Sequence, residues 1–223
     1  MKQIPTDDIR NTIDAFDAKI KGATRYKSWE HCYGYFAKSN KEFDIDVGAL
    51  HLAFYLASWG MYRGSSFMLQ HDYKIHTSTV EFLRKNRDLN IDIRNIDKSE
   101  IDNIASRIYE LFMAVKNNYK DFHDNGASDI LVSKILLGTF GIMPAFDRFY
   151  VGGIRHSGIG YSPKIENNIK KALSFYLENK RTFDSLSCAD KYPPMKLVDM
   201  YFWQKGYEMS NTGTKNNECS GSK

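Results

Sequence analysis

Apolar residues in this chain recur at intervals of three and four, and nowhere does a period of two persist with β-branched residues. That pattern confines the chain to amphipathic helices packed on one another. Ile9, Ile13, Phe16 and Ile20 form one stripe. From Ser99, the residues Ile101, Ile104, Ile108, Leu111, Phe112 and Val115 form the clearest one, ending near Tyr119. Ser162-Pro163 opens another (Ile165, Ile169, Leu173, Tyr176, Leu177), and Pro193-Pro194 introduces a last helix over 195–209 with Leu197, Val198, Tyr201, Phe202 and Trp203. The sequence predicts an all-α protein of about nine or ten helices over residues 1–209. The polar, small-residue segment 210–223 reads as a disordered tail. With 223 residues, 42% of them apolar, the chain can bury a full core without staples.

Several function classes are excluded. Cys32, Cys188 and Cys219 are scattered and form no Cys-x-x-Cys pair, which speaks against a disulfide framework and a zinc site. His71 and His76 lack a third ligand nearby, so no metal and no cofactor is expected. The glycines from Val151 to Gly160 follow no strand and precede no Lys-Ser/Thr, and are read as a connection, not a phosphate-binding fingerprint. The N-terminus has no apolar signal region and no run approaches 18 apolar residues. A soluble, cytoplasmic monomer is the expectation. The net charge of +4 is compatible with a polyanion partner.

Function is concentrated in Asn125 to Tyr150, NGASDILVSKILLGTFGIMPAFDRFY. Asn125-Gly126 is a turn signal, because glycine tolerates positive φ and Asn comes close to doing so. Ser128 or Asp129 can cap a helix carrying Ile130, Leu131, Ile135 and Leu136. Gly141 ends it, and Pro144 keeps the chain extended before Asp147. Asp147 precedes an apparent short helix, Arg148 to Ile154, and a helix N-terminus favours an anion. The same position suits an ordinary N-cap.

A second unusual stretch is Tyr55 to Gln70, YLASWGMYRGSSFMLQ, in which Gly60 and Gly64 interrupt an apolar segment. Such breaks are kept for a turn, a close approach or a site. Trp59, Met61, Tyr62, Arg63 and Ser65 lie in and around it, and core packing is the competing account of Trp59.

The order turn, helix, break, acid resembles the helix-hairpin-helix DNA glycosylases of the endonuclease III type over about 25 residues. Gly126 matches the hairpin glycine, Thr139-Phe140-Gly141 the break after the helix, and Asp147 the catalytic acid. Ser128 replaces the second hairpin glycine, and Asp129 or Ile130 stands where Schiff-base members carry lysine. Ala57-Ser58-Trp59 precedes Asp147 by 88 to 90 residues, matching the wedge turn of that family. With only Cys188 and Cys219 near the C-terminus, the four-cysteine iron-sulfur cluster of many such enzymes is excluded.

The resemblance implies two lobes with a cleft faced by the 126–147 region, double-stranded DNA as partner, and a monofunctional reaction that leaves an abasic site. Asp147 would be catalytic. Trp59, Met61, Tyr62, Arg63 and Ser65 would form the base pocket. Asn125, Gly126, Ala127 and Ser128 would grip a phosphate through outward backbone N–H groups, with Lys134 and Arg148 adding charge. Two other classes stay open: a non-catalytic helical DNA-binding module, and an all-α interaction protein.

Overall fold

The computed structural model describes residues 4–37, 42–87 and 91–218. Ten α-helices and several 3₁₀ turns make up the described residues, with no strand among them. The helices are α1 (Thr6–Asp17), α2 (Ser28–Phe36), α3 (Ile45–Ser58), α4 (Thr77–Lys85), α5 (Ile101–Asn117), α6 (Asp129–Thr139), α7 (Arg148–His156), α8 (Ile165–Glu178), α9 (Lys180–Asp184) and α10 (Pro194–Glu218). Buried apolar side chains from Ile9 on α1 to Trp203 on α10 join in one cluster. No helix is long and apolar enough to cross a membrane among the described residues.

Two helices set up the site. Helix α6 is buried on every side from Leu131 to Thr139, as expected of a segment whose apolar residues leave no polar face. It packs against α2, α3 and α5. Ser128 caps it by accepting from the Leu131 N–H at 3.2 Å. Gly141, at φ 65, ends it with its N–H donating to the Leu136 carbonyl at 2.9 Å.

Helix α10 packs on α1, α7 and α8. Its contact with α7 is backbone to backbone: a Cβ added at Gly153 would overlap the Phe202 carbonyl, and one at Gly206 would overlap the Phe149 carbonyl. The glycines of Val151 to Ile154 are therefore interior to α7, where they let two helices touch, and are not part of a loop connection. Their local signal is that of a loop; the contact that uses them is tertiary.

The composition of 210–223 also misleads. Residues 210–218 continue α10, since each residue added to an existing helix gains a bond without a new nucleation step. Residues 219–223 lie outside the described residues. The termini of other helices shift slightly: α1 starts at Thr6 with Pro5 at the cap, and α8 starts at Ile165 after Lys164.

Candidate active site

The segment between α6 and α7 is held from two sides. Ser133 Oγ on α6 accepts from the Phe146 N–H at 3.0 Å, and Asp199 Oδ1 on α10 accepts from the Ala145 N–H at 3.0 Å. Both are buried bonds, so the approach to Asp147 is fixed by side chains of two different helices. Asp147 then caps α7, its Oδ1 accepting from the N–H groups of Phe149 (3.1 Å) and Tyr150 (3.2 Å). Its other oxygen, Oδ2, accepts from Lys134 Nζ at 2.9 Å. Being a cap does not remove the carboxylate from solvent: its side chain keeps 15% exposure, against 4% for Lys134.

Asp147 lines a cavity of about 470 Å³. Trp59, Phe149, Trp203 and Tyr207 supply aromatic wall, and Trp203 and Tyr207 are stacked at 5.0 Å. Four cations, Arg25, Arg63, Arg148 and Lys134, line it against the one carboxylate. Lys134 is spent on Asp147 and also lies 5.2 Å from the centre of the Trp59 ring. The three arginines are exposed and pair with no carboxylate among the described residues. Two of them lie over rings, Arg25 over Trp59 at 5.5 Å and Arg148 over Phe149 at 4.5 Å. Guanidinium groups without a carboxylate partner are suited to phosphate oxygens.

A second cavity, of about 390 Å³, adjoins the first and shares Met61, Ser66 and Ser128 with it. Asn125, Gly126, Ala127, Ser65 and Lys116 line this one. The acid and the 125–128 turn thus open onto neighbouring hollows joined at Met61.

The candidate residues divide accordingly. Trp59, Met61 and Arg63 line the main cavity with Asp147, Ser128, Lys134 and Arg148. Ser65 lines only the second of these cavities. Tyr62 lines neither; its hydroxyl lies 2.7 Å from His76 Nε2, and His76 Nδ1 lies 2.6 Å from the Tyr119 hydroxyl. Tyr62 therefore anchors the glycine-broken segment to α5's end through His76 and lines neither hollow.

The expectation of outward N–H groups at the turn needs correction. Gly126, at φ 68, donates to the His123 carbonyl at 2.7 Å, and Ala127 donates to the Lys116 carbonyl at 3.1 Å. Both residues are buried, and a Cβ at Gly126 would strike the Lys116 carbonyl. Closure of the turn itself takes the Gly126 donor, and packing against α5 takes the Ala127 donor. The amides of α6's first turn, at Asp129 and Ile130, lie where no helical carbonyl can reach them.

Arg25, Phe149, Trp203, Tyr207, Lys196 and Asp199 were not legible as site residues, because they come from three separate segments of chain and meet only through packing. No lysine stands at position 129 or 130, yet Lys134, one turn further along α6, comes to the acid. Among the described residues no three His, Cys, Asp or Glu side chains converge as a metal centre would need. Comparison with protein-family models, with curated proteins and with solved structures yields no match.

Proposed function

We propose that this chain is a DNA glycosylase that receives one nucleotide flipped from a duplex and hydrolyses its N-glycosidic bond. The reading rests on one observation: a partly exposed carboxylate, held at a helix N-terminus, faces an aromatic cavity ringed by three arginines without carboxylate partners. The aromatic walls suit a base plane, and the arginines suit the phosphates on either side of it. In the reaction the base leaves with the bonding electron pair and takes up a proton. The hydroxyl of water ends on C1′, and the water's other proton passes by way of Asp147 to solvent. The oxocarbenium-like sugar is stabilised by the Asp147 charge.

Lys134 serves here as the fixed counter-charge of Asp147, not as a nucleophile, since its ammonium is buried and committed to the ion pair. The product is then an intact abasic site where a damaged or modified base stood, as in repair or anti-phage defence. Duplexes carrying normal, alkylated, oxidised and phage-type modified bases, incubated with the protein and run on a denaturing gel with and without alkali, test the proposal. Strand breaks only after alkali support it. Breaks without alkali would make Lys134 an attacking amine. Salt-dependent binding with no breaks would leave a DNA-binding module, and no binding at low salt an interaction protein.

A further inference from the structure

Behind Asp147 lies a second ion pair that the proposed chemistry does not use. Lys196 Nζ and Asp199 Oδ2, both on α10, are 3.1 Å apart and only 2% and 4% exposed as residues. Burial pushes the Lys196 ammonium down and the Asp199 carboxyl up from their ordinary values. A buried pair of this kind needs hydrogen bonds to its remaining donors and acceptors, or its desolvation cost goes unmatched.

Between this pair and Lys134–Asp147 is a small chamber, bounded by all four charged residues together with Trp59 and Trp203. Its volume is about 10 Å³, and a single water requires on the order of 10–15 Å³ on this measure and two to four polar partners. The indole N–H groups of Trp59 and Trp203 are buried and have no hydrogen-bond partner. Two carboxylates and two ammonium groups around one water-sized space, walled by two tryptophans whose indole N–H groups lack partners, are a built site for a water molecule.

We propose that this chamber binds one water molecule that joins the Lys134–Asp147 and Lys196–Asp199 pairs into a single unit, and that Lys196 and Asp199 are positioning residues for the Asp147 carboxylate. Asp199 already reaches Asp147 by a second route, through the Ala145 N–H two residues upstream. The water site stands apart from the glycosylase reading; only the effect on turnover rests on it.

High-resolution diffraction from the native full chain tests the first part. One ordered water within hydrogen-bond distance of a carboxylate from each pair is expected, and a chamber with no water density overturns it. For the second part, Lys196→Met/Asp199→Asn removes both charges while leaving an amide oxygen for the Ala145 N–H. The backbone amide resonances of Phe149 and Tyr150, which report the Asp147 cap, are expected to shift in this variant; unmoved resonances overturn the positioning role. Where the native chain releases base, the variant is expected to lose about 100-fold in kcat with KM for duplex changed less than about twofold, and Lys196→Arg is expected to recover part of the loss. Absence of base release by the native chain would sink the glycosylase reading while the diffraction and the amide shifts still decide this one. Should the double variant fail to fold, Asp199→Asn alone supplies the amide measurement.

Discussion

Lys134 Nζ sits 2.9 Å from Asp147 Oδ2, on the opposite side of the carboxylate from the Phe149 and Tyr150 N–H groups that hold Oδ1. One carboxylate therefore answers to three donors from two helices, and its removal has separable effects on chemistry and on folding.

Replacing Asp147 with Asn keeps an oxygen for the α7 amides but removes the negative charge. Base release in the gel assay should disappear, while duplex affinity measured by anisotropy stays within about threefold of the native value, a difference of about 0.7 kcal/mol. A native turnover number in this variant would end the assignment of Asp147 as the catalytic group.

Lys134→Met leaves the acid in a mostly buried place without its counter-charge. Breaking a buried pair costs about 3–5 kcal/mol, so urea denaturation should show a midpoint lower by an amount far outside the effect of a surface lysine change. The double replacement Lys134→Met/Asp147→Asn should recover a good part of the loss, because no isolated charge remains.

Arg25, Arg63 and Arg148 are exposed, and none pairs with a carboxylate among the described residues. Each Arg→Ala change should lower the slope of log affinity against log salt by about 0.9 for duplex DNA with little change in thermal stability. A slope unaltered in all three variants would remove the arginines from the DNA contact.

His76 is fully buried between the Tyr62 and Tyr119 hydroxyls, and burial lowers its pKa to about 3. An unfolded histidine titrates near 6.5. Below that pH the unfolded chain binds a proton that the folded chain refuses, so this residue's contribution is intact above about pH 6.5 and is lost as pH falls toward 3. The slope is about 1.4 kcal/mol per pH unit. His76→Gln should flatten the fall in stability between pH 6 and pH 4 relative to the native protein, as read by chemical denaturation at each pH.

Much of the frame was legible because its determinants are local. The 3.6-residue stripe on α5, the Ser128 cap of α6, the Gly141 stop and the placement of Asp147 before α7 all follow from residues within a turn or two of each other. The site was legible only where it coincides with those signals. Trp203 and Tyr207 sit on a helix whose apolar content announces core, and Arg25 precedes α2 in a segment that carries no motif. Their convergence on Asp147 depends on how α10 lies across α7, which no local pattern encodes. The turn at Gly126 shows the opposite failure: its sequence is that of an exposed anion-binding bend, but the His123 and Lys116 carbonyls take the Gly126 and Ala127 amides first.

Gly153 and Gly206 press their α-carbons against each other's helix with no room for a methyl group. Gly206→Ala should therefore force α7 outward, at a cost of at least 1–3 kcal/mol, and carry with it the carboxylate that begins that helix. Residue 206 lies almost sixty positions downstream of the acid and bears no functional group, yet the hydrogen atom it offers in place of a side chain determines where the Asp147 carboxylate stands. A search for changes that displace Asp147 should find them at this silent crossing as readily as in the cavity itself.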